Sequence, residues 1–291
     1  MKKYLGIDIG GTDFKYGLYS EKGECLNLNG KIPSVKNDTK DTLDAISGII
    51  SKFPDIDGVG LSIPGRIDSE TGTILGSGSL NVLWEIPLRP IFEERHKLPF
   101  AFENDANCVA LAELWLGNGR DCSNFVCITL GTGIGGSIVI NNQLYSGSHY
   151  FGGEFCFMYT NPEPLVMFND SSTYWLLKNI NDSTSLETKD GQDIFSNLDK
   201  PDVLEVYNKW IRTLALGIYN VGAAFDPAKI LLGGGISVQK RIYHDVELAV
   251  QAITHEVYPR FWTIEPCHFG NDAGKIGAVY NLMTTRFGLG G

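Results

Sequence analysis

Residues 125 to 145 read "FVCITLGTGIGGSIVINNQLY". A β-branched and aromatic run enters a glycine turn that carries Thr132, and a second β-branched run leaves it, so the stretch predicts a hairpin. Gly131, Gly133 and Gly136 do satisfy the spacing G-x-G-x-x-G. That dinucleotide fingerprint, however, needs a helix directly after the turn so that its N-terminus meets a pyrophosphate. Here "SIVI" follows, which disfavours a Rossmann unit, and no G-x4-G-K-[ST] loop occurs in the chain. The pair Asn141-Asn142 predicts a further tight turn just beyond.

The same plan stands once before in the chain. Tyr4 to Ser20, "YLGIDIGGTDFKYGLYS", is an apolar strand, a turn of Gly10, Gly11 and Thr12, and a second strand rich in aromatics. Glycines let backbone N–H groups approach phosphate oxygens, and a threonine hydroxyl adds a donor. One such turn is equally an ordinary hairpin. Two matched turns, the first with Asp8 just ahead of it, predict phosphate binding, and the echo predicts two similar domains.

Between and after the hairpins the pattern alternates. Leu43, Ile46, Ile50 and Phe53 recur at helical spacing, and "GVGLSI" at 58–63 reads as a buried strand. "PFAFE" at 99–103 is another strand, ending in Asn104-Asp105 and a helix from Ala106 to Leu116. Residues from about 160 to 200 turn polar and irregular and read as loops and short helices, kept ordered by Trp175, Leu176 and Leu177. Leu204, Tyr207, Ile211, Leu214 and Ile218 then mark a long helix before the strand "KILL" and a third glycine cluster, Gly233 to Gly235. The fold class is α/β.

With 291 residues, 43% of them hydrophobic, the chain can bury a sizeable core, and at about 150 residues per domain it divides into two. The 34 acidic against 24 basic residues, with no Lys/Arg run longer than two, argue against a nucleic-acid or anionic-membrane partner. The cysteines at 25, 108, 122, 127, 156 and 267 form no CxxC pair, so neither a disulfide framework nor a thiolate zinc site is expected. Asp8 interrupts the N-terminal apolar stretch too early for a signal peptide, and no window approaches the roughly 20 apolar residues of a membrane span. The expected location is the cytoplasm.

Four motifs in order, "DIGGTDFKYGL" at 8–18, "FENDANC" at 102–108, "LGTGIGG" at 130–136 and "GGGIS" at 233–237, resemble the ROK sugar kinases of the actin-like ATPase superfamily. The resemblance runs from Tyr4 to a terminal helix beginning near Asp272. It implies two α/β domains of ribonuclease H-like fold around a central cleft. The first would be residues 1–116 completed by a C-terminal helix at 272–287, and the second residues 117–271. It also implies ATP, Mg²⁺, a sugar substrate and a homodimer.

Carried over residue by residue, the resemblance gives roles. Gly10, Gly11 and Thr12 form the first phosphate turn, with Lys15 as a nearby cation and Asp8 holding a hydrated Mg²⁺. Gly131, Thr132 and Gly133 form the second phosphate turn, and Gly233, Gly234 and Gly235 bring backbone close to the adenosine. Taken on their own, Lys15 is a solvated strand lysine and the glycine cluster a helix-entry turn. Asp105 is the general base and Asn104 a sugar contact, although "ND" at a strand-to-helix junction is by itself most simply a helix N-cap. Gly65 in "SIPGRI" and Asn81 in "GSLNVLW" are further sugar contacts. Trp84 is either a pocket wall or a core residue.

Glu154 in "GGEFCFM" matches a glutamate that binds the sugar near its anomeric end, with a solvated loop carboxylate as the plain alternative. Most relatives read Gly-Glu-x-Gly-His there, and the histidine joins downstream cysteines on a structural zinc. In this chain Cys156 and Phe157 occupy the glycine and histidine positions, and the segment "YTNPEPLVMFNDSS" has no cysteine. No zinc site is expected. Glu163 is a candidate for a second sugar carboxylate if the alignment admits a gap. The pattern resembles the zinc-free minority of the family, which includes β-glucoside kinases and some N-acylmannosamine kinases. The expected activity is ATP-dependent phosphorylation of the 6-hydroxyl of a hexose or hexoside, with a β-glucoside foremost and N-acylmannosamine, glucose or fructose as alternatives. A sugar-responsive regulator of the same family would carry a basic helix-turn-helix domain ahead of the first motif. This acidic chain begins three residues before its first strand, so the enzyme is expected.

Overall fold

A computed structural model of the chain describes residues 1–26, 29–76, 80–162, 164–257 and 259–289. The chain folds as two compact units, one of residues 1–120, 146–151 and 271–291, the other of residues 121–145 and 152–270. The expected division is at 116/117. In the structure the chain crosses at 120/121, and Ser146–Phe151 also belongs to the first unit. Glu163 lies outside the described residues.

In the first unit β1 (Lys3–Ile9), β2 (Asp13–Ser20) and β3 (Gly30–Pro33) form an antiparallel meander. Helix α1 (Thr39–Ile50) starts on the side chain of Asp38, which accepts from the Asp41 N–H, and leads to β4 (Gly58–Ile63), parallel to β1. A ribbon of β5 (Ile67–Asp68) and β6 (Thr73–Ile74) precedes α2 (Leu88–His96). Strand β7 (Phe100–Asn104), parallel to β4, runs straight into α3 (Asp105–Trp115). The sheet order is β3-β2-β1-β4-β7. Every residue of β4 is buried, as a central parallel strand covered on both faces requires.

In the second unit β8 (Phe125–Leu130) and β9 (Ile134–Ile140) are the hairpin expected from the opening stretch. Asn141 and Asn142 stand at φ 53° and 61°, the pair of positive angles that a two-residue primed turn needs, and β10 (Gln143–Leu144) follows. A ribbon of β11 (Tyr159–Pro162) and β12 (Leu165–Met167) replaces part of the expected loop. Helices α4 (Thr173–Ser183), α5 (Gly191–Phe195) and α6 (Pro201–Phe225) come next. Then follow β13 (Lys229–Gly233), α7 (Lys240–Ile253) and β14 (Thr263–Pro266). The sheet order, β10-β9-β8-β13-β14, repeats that of the first unit, including two parallel strands after an antiparallel meander. The internal echo read from the sequence is therefore a duplicated topology.

Each unit has its own core. Ile7, Phe14, Ile46, Leu61 and Phe102 belong to the first, and Ile128, Ile138, Phe168, Leu214 and Ile230 to the second. The last helix, α8 (Ala273–Phe287), packs in the first unit against β1, β4, β7 and α3. Its approach leaves no room for side chains, since a Cβ on Gly60 would lie 2.0 Å from the Ala278 carbonyl and one on Gly277 would lie 1.8 Å from that of Cys108.

Candidate active site

The parallel strands of the first unit deliver their C-terminal ends to one edge of the sheet, the edge at which open α/β sheets bind ligands. Asp8, Ser62 and Glu103 share one register row across β1, β4 and β7, and the chain leaves those strands through Gly10–Thr12, Gly65 and Asn104-Asp105 respectively. Ser62 Oγ donates to Asp8 Oδ1 at 2.7 Å. The first turn of α8 lies against the same carboxylate, because a Cβ on Gly274 would come within 2.6 Å of Oδ1. Burial pushes the Asp8 carboxyl above its usual range, opposed by the Ser62 hydrogen bond and then by the charges of Lys15 and Lys275. Lys15 stands directly across the hairpin from Asp8.

The turn itself is fixed from behind. Gly10 N–H donates to the Asp13 carbonyl at 3.0 Å, and a Cβ on Gly10 would sit 2.8 Å from that oxygen. Gly11 and Thr12 are exposed.

At the β7–α3 junction the structure assigns the N-cap to Asn104, not Asp105. Asn104 Oδ1 accepts from the Asn107 N–H at 3.0 Å, and Asn104 Nδ2 donates to the Gly65 carbonyl at 2.9 Å. Both polar ends of that amide thus have protein partners. Gly65 adopts φ 102°, open only to glycine at low cost, and its carbonyl orients the asparagine. Asp105 is the first helical residue, exposed, with Oδ1 accepting from the Ala106 N–H at 2.9 Å. Its carboxylate stands at the sheet edge, one residue past the cap.

Beneath them lies Glu103, 4% exposed, which the sequence reading did not single out. Its Oε1 accepts from the Asn104 N–H and from Asn107 Nδ2, each at 2.8 Å, and its Oε2 accepts from Ser69 Oγ at 2.9 Å. Burial raises its carboxyl above the usual range against the pull of these three donors. Asn81 is exposed in a 3₁₀ turn, Asn81–Leu83, and Trp84 is 43% exposed, which places it outside the core.

In the second unit the glycine clusters meet at the corresponding edge. A Cβ on Gly234, whose φ is 93°, would lie 2.2 Å from the Leu130 carbonyl, so the third cluster is packed on the entry to the turn Gly131–Gly133. That turn is held by Thr173 Oγ1 donating to the Leu130 carbonyl at 3.0 Å and by Asn169 Oδ1 accepting from the Ile134 N–H at 3.0 Å. A cavity of about 400 Å³ joins Gly131 and Thr132 to Gly235 and Ile236, with Tyr174 and Leu177 as an apolar wall and Gln192 and Gln239 as polar groups. Its size and mixed lining suit a nucleoside.

Gly136, the last glycine of the apparent fingerprint, has a packing reason. A Cβ there would come within 2.2 Å of the Phe155 ring and 2.3 Å of the Gly153 carbonyl. The segment carrying Glu154 is thereby pressed onto β9. Cys156 Sγ donates to Glu154 Oε2 at 3.7 Å, and burial followed by the neighbouring negative charge pushes the thiol up to about 12. Phe157 is 49% exposed. Among the described residues, no group of three or more His, Cys, Asp and Glu is placed to hold a metal ion. Magnesium keeps several waters and needs only one or two carboxylates beside the phosphates, and the Asp8 carboxylate has the hard oxygen chemistry required. No helix among the described residues is long and apolar enough to cross a membrane.

Two sheets of identical strand order, each with a glycine-threonine turn at the edge of its first strand, define the actin-like ATPase fold. The ROK family model matches residues 4–170 and 171–285, and the chain belongs to the ROK family. It is 31% identical to a protein of Listeria innocua named beta-glucoside kinase, over 97% of each chain. It is 32% identical to one of the same name from Klebsiella pneumoniae, over 96% of each. Among solved structures, a ROK family protein from Streptococcus pneumoniae in complex with sucrose matches with TM-score 0.89 at 30% identity, covering 98% of this chain and 99% of that one.

Proposed function

We propose that this ATP-dependent carbohydrate kinase phosphorylates the 6-hydroxyl of a β-glucoside, with Asp105 as the base that accepts the hydroxyl proton. Such transfer needs positioning, charge neutralisation and a proton acceptor, and little covalent chemistry. Asp105 supplies the acceptor. Asn104 is held by its own cap and by Gly65, so it presents the helix start in one orientation. The N–H groups of Gly11, Thr12, Thr132 and Gly133 are the proposed phosphate donors, and the cavity bordered by Gly235 and Ile236 is the proposed adenosine site. Magnesium, when bound, neutralises charge on the β- and γ-phosphates, and Asp8 with Ser62 would hold its water shell.

The observation that carries the choice of a glucoside is Phe157. It stands exposed three residues after Glu154, where the family resemblance has a polar, zinc-held histidine. Glu154 supplies a carboxylate for the sugar's hydroxyls, and an apolar neighbour tolerates a substituent at the anomeric carbon. The names of the two relatives agree with this choice. The test is ADP release with glucose, fructose, N-acetylmannosamine, N-acetylglucosamine, cellobiose and gentiobiose as acceptors. Higher kcat/KM on the disaccharides is expected. A clear preference for a free monosaccharide would reject the glucoside reading.

A further inference from the structure

The turn at 68–72, between β5 and β6, is fixed from several sides. Gly72 N–H donates to the Asp68 carbonyl at 2.8 Å, and Asp68 Oδ1 accepts from the Glu70 N–H at 2.9 Å and from the Tyr150 hydroxyl at 3.0 Å. From α2, the Arg89 N–H donates to the Thr71 carbonyl at 2.9 Å and Arg89 Nη2 to the Ser69 carbonyl at 2.6 Å. Ser69 is thus anchored through its own backbone. The turn also packs on β7, since Gly72 stands at φ 72° and a Cβ there would lie 2.8 Å from the Phe102 ring.

From this platform Ser69 Oγ donates to Glu103 Oε2 at 2.9 Å. The other oxygen of the same carboxylate takes the N–H of the cap, Asn104, and Nδ2 of Asn107 in the first turn of α3. The terminal torsion of a glutamate is broad, so contacts to one oxygen alone leave the plane of the carboxylate loosely set. Ser69 sets it. Asp105 follows Asn104 directly, and the orientation of Glu103 is therefore passed to the helix start on which Asp105 stands.

We propose that Ser69 is a positioning residue for phosphoryl transfer, its bond to Glu103 fixing the strand-to-helix junction that carries Asp105. This rests on the reading of Asp105 as the base.

The test measures kcat and KM by ADP release in wild type, Ser69→Ala, Glu103→Ala and the double variant, using whichever of the sugars above gives the highest kcat/KM, with thermal melts as folding controls. Thr71→Ala is the control for the turn, because Thr71 Oγ1 donates to Asp68 Oδ2 at 2.7 Å and its loss leaves the Ser69–Glu103 bond in place. Misplacing a reacting group by about 1 Å costs on the order of 10²-fold in rate, so a partial shift predicts that Ser69→Ala lowers kcat roughly tenfold with the KM for ATP and for sugar little changed. In the Glu103→Ala background Ser69 has no carboxylate to hold, and removing its hydroxyl should lower kcat no further. Thr71→Ala should keep the wild-type kcat. An unchanged kcat in Ser69→Ala, a loss that Thr71→Ala shares, a loss that appears in KM instead, or losses that add in the double variant would each overturn the proposal. Turnover retained by Asp105→Asn would remove the base reading and this inference with it, whereas an inactive Asp105→Asn beside a fully active Ser69→Ala would remove this inference alone.

Discussion

Replacing Glu103 by Ala should damage the first unit far more than replacing it by Gln. The carboxylate accepts from the Asn104 N–H, Asn107 Nδ2 and Ser69 Oγ in a site that is 4% exposed. Alanine removes every acceptor. The serine hydroxyl can rotate to another partner, but two donors are left buried at about 1–3 kcal/mol each, so a loss of roughly 4 kcal/mol is expected. At about 2–4 °C per kcal/mol this lowers Tm by roughly 8–16 °C. Glutamine keeps the shape, offers its carbonyl to Asn104 and Asn107 and its amide to the Ser69 oxygen, and should cost about 1 kcal/mol or less. The pH dependence has a definite sign. Burial raises the folded-state pKa of Glu103 above its unfolded value, so between the two the native protein binds the extra proton and stability falls as pH rises. The glutamine variant lacks the titrating group and has no such slope, so the gap between wild type and Glu103→Gln should narrow from pH 4 to pH 7. Differential scanning calorimetry across that range measures both effects. Equal destabilisation by Ala and Gln, or a gap that widens with pH, would refute the reasoning.

Two further outcomes follow from the second unit. Gly234→Ala combines φ 93° with a Cβ 2.2 Å from the Leu130 carbonyl, whereas a Cβ on Gly235 meets nothing within 4 Å. The first should cost about 2–4 kcal/mol and weaken nucleotide binding, the second should be nearly silent, and paired melts with ATP titrations will tell them apart. The Cys156 thiol, pushed up to about 12, should alkylate slowly at pH 8 and faster as pH approaches that value. Glu154→Gln removes the adjacent negative charge and should speed modification, as read by peptide mass spectrometry.

The duplicated fold was legible because each half announces itself locally: alternating strands, a glycine-threonine turn, and in one half an Asn-Asn pair that tolerates positive φ. The sheet-edge residues were legible too, since Asp8, Gly10 and Asn104-Asp105 sit where strands end. The choice of cap between two adjacent capping residues was not, because it turns on whether the helix starts at Asp105 or one residue later. Glu103 read as an ordinary strand residue, its role visible only once α3 returns Asn107 over it. Ser69 lies 34 residues before the carboxylate it holds, and a turn serine carries no sign of its partner. The polar stretch before α6 concealed a strand pair, β11 and β12, because short exposed strands lack a buried face to impose alternation.

The central claim is that Asp105 takes the proton of a sugar hydroxyl. Asp105→Asn preserves the side chain's size and an acceptor for the Ala106 N–H while removing the base. Steady-state ADP release with cellobiose and gentiobiose should fall by about 10²–10⁴-fold in kcat, with AMPPNP and sugar affinities little changed. A variant that turns over within tenfold of wild type would contradict the account.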